Sequence, residues 1–125
     1  MSYRLIRSAE DDIDRIVLAG AAEWGLATAA RCNRLTLATF AALGAVPDLR
    51  GSRAVPGVAG VRAYHLRPGL KRVEQGGRVG QPRHLVAYRV ARDGVVEIIG
   101  LAHDRMLLPE AAQRMQAGSG PASAG

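Results

Sequence analysis

The stretch Arg83–Met106 (RHLVAYRVARDGVVEIIGLAHDRM) constrains the fold of this chain more than any other segment. Two apolar-rich runs, Leu85–Val90 and Val95–Ala102, flank Asp93-Gly94 and read as a β-hairpin. Asp-Gly predicts a type I′ turn, whose left-handed dihedrals match the twist of the strands on either side. His84, Tyr88, Arg89, His103, Asp104 and Arg105 are spread along this hairpin. A purely structural hairpin rarely carries so many polar and cationic side chains at its ends, so an anionic partner is expected here.

The rest of the chain supplies elements to pack on that hairpin. Tyr3–Arg7 reads as a short first strand. Ser8-Ala9-Glu10-Asp11 follows the helix-capping pattern of serine then an acid, which predicts Ser8 as the cap. The acids Glu10, Asp11, Asp12 and Asp14 suit the positive end of a helix dipole. Ile13, Ile16, Val17, Ala21 and Trp24 then recur at helical spacing and predict one inward face. Gly25 breaks the pattern, and Ala27–Leu43 predicts a second helix with Leu37, Phe40 and Leu43 inward. So short a connection makes the two helices antiparallel neighbours.

Gly, Pro and Arg dominate residues 44–60, a surface loop by composition. Val61–Leu66 predicts a second strand, with Arg62 and Tyr64 facing one way and Val61, Ala63 and His65 the other. The connection 67–83 is rich in glycine, proline and basic residues. Pro109–Met115 predicts a short terminal helix, and 117–125 (AGSGPASAG) a flexible Gly/Ser/Ala tail beyond a single domain of residues 1–116. The order strand, two helices, three strands gives an α+β fold. In it, an antiparallel helical hairpin covers one face of a three-stranded antiparallel C-terminal part and leaves the other face free. Strict alternation in the last strand would set Val95, Glu97, Ile99, Leu101 and His103 against Val96, Ile98, Gly100 and Ala102.

Charge and cysteine content narrow the function. The 125 residues carry a formal net charge of +6, and Lys71 is the only lysine among 17 basic residues. Arginine suits phosphate and carboxylate through its planar fork, although a GC-rich genome accounts for the same bias. The single Cys32 excludes a disulfide framework and a thiolate pair for a metal. No apolar run is long enough for a membrane span and no secretory signal is visible, so a cytoplasmic protein is expected. No cofactor or metal is expected: the histidines His65, His84 and His103 lack ligand spacing, and no nucleophile elbow or phosphate loop appears.

Two chemistries stay open on the residues. Metal-free phosphodiester cleavage needs a base, an acid and a cation at the phosphate. Tyr88, His84 or His103, with Arg62, Arg83, Arg89 or Arg105, offer those roles, and Tyr88, His103 and Arg105 are the catalytic candidates. Binding without catalysis would use Arg62, Arg83, His84 and Arg89, with Arg67, Lys71, Arg72 and Arg78 adding charge from the connection.

The layout as a whole resembles the RelE/ParE superfamily of toxins from bacterial type II toxin–antitoxin modules, on the ParE side. The resemblance is carried by Tyr3-Arg4-Leu5, then Ala9-Glu10-Asp11-Asp12-Ile13-Asp14-Arg15-Ile16. At the far end it rests on Leu85-Val86-Ala87-Tyr88-Arg89-Val90, on Gly94-Val95-Val96-Glu97-Ile98-Ile99, and on His103-Asp104-Arg105-Met106. It covers residues 1–108 by order of elements. It implies a toxin neutralised by a cognate antitoxin whose C-terminal segment wraps around it, in a hetero-oligomeric complex. ParE-like members inhibit DNA gyrase without nuclease chemistry; RelE-like members cut messenger RNA on the ribosome. The lone lysine and the lack of a tyrosine after Tyr88 count against ribosomal cleavage, and an inactive member that only binds its partner is a third alternative. The connection 67–83 is longer than the tight hairpin common in the family.

Overall fold

The computed structural model describes residues 2–66 and 83–119. The cations Arg67, Lys71, Arg72 and Arg78 and the end of the tail, 120–125, lie outside the described residues. The elements are β1 (Tyr3–Leu5), α1 (Arg7–Trp24), α2 (Leu26–Ala45), β2 (Arg53–Ala54), β3 (Arg62–His65), β4 (His84–Val90), β5 (Val96–His103) and α3 (Leu108–Ser119). The α+β class holds, but the sheet is larger and mixed. Its order is β1-β5-β4-β3-β2, with β1 parallel to β5 and the other neighbours antiparallel. β2 and the buried Val55 and Val58 fall within the segment expected to be loop.

The helical hairpin covers one face. Leu35, Phe40 and Leu43 of α2 pack there against Tyr64, Val86, Tyr88, Val96, Ile98 and Leu101 of the sheet. Ile13 and Ile16 of α1 border this core. Leu35, Thr36 and Thr39 are buried on α2, whereas Leu37 is 40% exposed and does not face inward. Trp24 is likewise outward, 66% exposed at the tip of the hairpin where only Gly25 separates the helices.

The other face is not free. Ala63, Leu85, Ala87 and Ile99 form a second apolar cluster with Val55, Val58 and Val61. Ala112 of α3 belongs to that cluster, and Leu108 and Met115 pack against it. α3 also runs on to Ser119, past the expected end of the terminal helix.

A β-bulge explains how β5 serves both cores. Ala87 pairs with Gly100 and Tyr88 with Ile98, so Ile99 is the extra residue. The bulge resets the alternation: Val96, Ile98 and Leu101 join the first core and Ile99 the second. The start of α1 is fastened to this irregularity. Ser8 does not cap its helix; its Oγ donates to the Ile99 carbonyl at 2.8 Å, and the cap position is Ile6, without a side-chain bond. Asp12 Oδ2 accepts the Leu101 N–H at 3.0 Å. A Cβ on Gly100 would stand 2.6 Å from Met115 Sδ and 2.9 Å from that same Asp12 oxygen, so the Met115 and Asp12 side chains occupy the space that a larger residue would need.

The β4–β5 turn is also not type I′. Asp93 lacks the positive φ that such a turn needs, whereas Gly94 has φ +87°. Gly94 N–H donates to the Ala91 carbonyl at 2.9 Å, and Ala91 N–H to Val95. A three-residue loop with glycine in the left-handed position is the next commonest hairpin solution.

Candidate functional site

The residues singled out by sequence divide between the two ends of the sheet. At one end the strands carry Arg89, Glu97 and Arg4 in adjacent register positions. Arg89 Nε donates to Glu97 at 3.0 Å, and both side chains are buried. Arg4 bridges the same carboxylate at 3.2 Å and Asp93 of the turn at 2.8 Å. The Arg4 guanidinium, with the Val95 N–H, holds the Asp93 carboxyl below its usual range. Arg89 is thus part of a buried ion network across three strands and offers no exposed cation for a partner.

Tyr88 is withdrawn from the surface as well. Its ring is fully buried, and its hydroxyl donates to the Pro47 carbonyl at 2.5 Å. Arg62 donates to Ser52 Oγ at 2.8 Å from the start of β3, three residues or about 10 Å of strand from His65. These three residues do not join the others.

The opposite end gathers the remainder. His84 and His103 are register partners on β4 and β5, with ring centroids 5.4 Å apart in an edge-on contact. The pairing continues one step further: Asp104 N–H donates to the Arg83 carbonyl at 2.7 Å. The Asp104 carboxylate then collects charge from both sides. Arg83 Nε donates to it at 3.2 Å, and His65 Nε2 lies 3.2 Å from its other oxygen. Partial burial pushes the Asp104 carboxyl up, but the bonds from His65 and Arg83 outweigh this and leave it below the ordinary value. His65 and Asp104 were not among the expected site residues. The signal for them was positional: His65 ends β3 as His103 ends β5, and antiparallel pairing through β4 brings the two together.

The two ring environments differ. His103 Nδ1 accepts the Arg105 N–H at 3.1 Å, so the neutral ring carries its proton on Nε2. Protonation would turn Nδ1 into a donor facing Asp104 at 3.5 Å. His84 is held below the usual histidine pKa, first by burial and then by His103; Asp104 opposes this and His65 adds to it. Arg105 is exposed.

Arg83, His84 and His103 line one end of a cavity of about 620 Å³ between the sheet and the helical hairpin. Its walls are mostly apolar: Ile13, Ile16 and Val17 from α1, Ala29 from α2, and Leu66 and Leu101 from the sheet. Concave, apolar surroundings with a few convergent polar groups are what binding sites look like. Cys32 also lines it, and burial pushes its thiol up, away from the nucleophilic thiolate. The three histidines converge, yet no metal-binding group of histidine, cysteine or acidic side chains exists among the described residues. Chemically, the cluster can hold an anion through Arg83 and exchange a proton through either imidazole.

A family model described as the ParE toxin of the type II toxin–antitoxin system, parDE, matches residues 3–108. The chain belongs to the ParE toxin family. The match runs from β1 to the first residue of α3, so it takes in both sheet ends and the helical hairpin and leaves out most of α3. No curated protein matches the chain at a significant level. Membership makes the chain a toxin of a toxin–antitoxin system and implies a cognate antitoxin. Among the described residues no helix is long and apolar enough to cross a membrane.

Proposed function

We propose that this chain arrests growth by inhibiting DNA gyrase in the cytoplasm and is neutralised by an antitoxin whose C-terminal segment wraps around it. The family match across 106 of the 125 residues carries this reading (108 − 3 + 1). The surface assigned to target contact is the sheet end bearing Arg83, His103 and Arg105, with His84 behind them. Arg83, paired with Asp104, and His103 stand at the cavity, and Arg105 is exposed beside them. Inhibition of this kind needs binding alone, and no catalytic residue is assigned. Purified chain titrated into a gyrase supercoiling reaction should abolish supercoiling; full supercoiling at excess toxin removes the gyrase assignment.

A second reading, endoribonuclease activity, draws support from one observation: two imidazoles 5.4 Å apart beside an arginine are an acid, a base and a phosphate cation in reach of one another. In it His84 and His103 replace Tyr88, whose hydroxyl is committed to Pro47. Codon-specific cuts in translated messenger RNA, absent in His103→Ala, would establish this reading against the first.

A further inference from the structure

The helical hairpin has a second side, turned away from the sheet, and it differs from an ordinary solvent face. On α1 the outward stripe runs Arg7, Asp11, Asp14, Leu18 and Ala22; on α2 it runs Ala27, Ala30, Arg34, Leu37 and Ala41, all exposed and at helical spacing. A surface helix ordinarily covers its outer side with charge. α2 carries only Arg31 and Arg34 as charged residues, and no acid. Leu18 is 70% exposed, and Leu26, at the border of the face, 80%. Leu18, Trp24, Leu26 and Leu37 of this hairpin are half of the large apolar side chains left exposed among the described residues, a concentration that scattered surface leucines do not show.

The charges near the middle of the two stripes are opposite in sign and uncommitted. Among the described residues Asp11 and Asp14 on α1 and Arg34 on α2 have no ion-pair partner, whereas Arg15 is already turned to Asp12 at 2.6 Å. The hairpin fixes their levels. A Cβ on Gly20 would stand 4.0 Å from Ala29 Cβ, so these two residues lie side by side. Counting back along the antiparallel pair puts Leu18 level with Arg31, and Asp14 and Arg15 level with Leu35 and Arg34.

We propose that this face seats a second copy of the chain, hairpin on hairpin, about a two-fold axis parallel to the helices. That axis lays α1 of one copy antiparallel on α2 of the other and keeps the levels. Arg34 of the second copy then falls within about 6 Å of both Asp14 and Asp11 along the axis, four residues of helical rise. Leu18 lies over Ala30 of the second copy, and Ala22 over its Ala27, so the large side chain meets small ones. Each helix supplies what the other lacks: two acids on α1, one base on α2. The contact is isologous, and every pairing occurs twice. Two helices about 10 Å wide and about 27 Å long offer a footprint of about 540 Å² on each copy, or about 1,080 Å² in all, which clears the roughly 1,000 Å² of a specific interface. The joined faces point away from the sheet, so a pair of chains still presents two sheet ends with Arg83, His103 and Arg105.

Sedimentation equilibrium of the full chain between about 1 and about 100 μM reads the mass without any target present. The mass should rise toward twice that of the chain. Ala30→Glu puts a carboxylate under Leu18 of the second copy, and Arg34→Glu sets like charge against Asp11 and Asp14. Each should raise the dissociation constant about tenfold or more, with helical circular dichroism unchanged. Adding Asp11→Arg and Asp14→Arg to Arg34→Glu exchanges the signs and should bring the dissociation constant back to within about threefold of the unaltered chain. A single-chain mass at the highest concentration overturns the second copy as occupant and leaves the face to a different protein. A dimer that neither Ala30→Glu nor Arg34→Glu weakens lies elsewhere on the molecule and overturns the proposal as well. Failure of the sign-exchanged variant to recover overturns the pairing of α1 with α2. A chain that pairs through this face yet leaves gyrase supercoiling intact keeps the dimer and removes only the proposed target.

Discussion

The two ends of the sheet carry the same kinds of residue and use them in opposite ways. At the turn end, Arg4, Arg89, Glu97 and Asp93 neutralise one another across β1, β5 and β4, with Glu97 fully buried between two guanidinium groups. At the cavity end, Arg83 and two imidazoles, His65 and His103, share a single carboxylate, Asp104, and stand partly open to solvent. The first arrangement ties strands together. The second keeps cationic capacity that the fold itself does not consume. The comparison teaches that the presence of arginine at a strand end says little about binding; what decides is whether an acid of the same sheet has claimed it.

Breaking the closed end should produce the largest stability change. Glu97→Ala removes the buried carboxylate that Arg89 Nε binds, which costs about 3–5 kcal/mol when one member of a buried pair is removed. Urea denaturation measures it; a loss below about 1 kcal/mol would mean that the network is solvated and the contrast between the ends is false. The next effect sits between the two ends, at the bulge. Asp12→Ala strips the acceptor from the Leu101 N–H and should cost about 1–3 kcal/mol by the same denaturation experiment.

A pH series separates the ends without mutation. His84 has a lowered folded-state pKa, so the unfolded chain binds its proton first as pH drops below about 6.5. Its contribution is fully present above that value and declines as the pH falls toward the folded pKa. The Asp93 and Asp104 contributions, both from lowered carboxyl pKa values, are present above about pH 4 and are lost only as pH falls through the folded values. Thermal midpoints should therefore fall in two stages on acidification, and His84→Gln should remove the first. A single stage that is unchanged in the variant would contradict the assignment. The smallest effect is expected at the hairpin tip: Trp24→Ala should change stability by no more than about 0.5 kcal/mol, because the indole is mostly exposed.

Much of the fold was legible because long alternating or helical patterns leave few choices. The β4–β5 hairpin, both long helices and β3 all follow from their apolar spacing. What escaped was decided by partners that local pattern does not reveal. β1 has three residues, and nothing in Tyr3-Arg4-Leu5 says that it lies parallel to β5. The bulge at Ile99 breaks a period of two that reads as continuous in sequence. Trp24 has helical spacing with Ile13 and Ile16 but lies beyond the reach of the sheet. The expectation that one sheet face would stay free failed because α3 and the 55–61 segment cover much of it. At the candidate site, Arg83, His84 and His103 were identified and do meet, whereas Tyr88 and Arg89 alternate into the two interiors of a strand that is covered on both sides.

The most direct test is growth arrest after induced expression of the double variant Arg83→Ala, His103→Ala, at soluble levels and thermal midpoint equal to the unaltered chain. Both positions are partly exposed, so the fold should persist while growth continues at the uninduced rate. Full arrest by that folded variant would place the toxic surface elsewhere on the molecule.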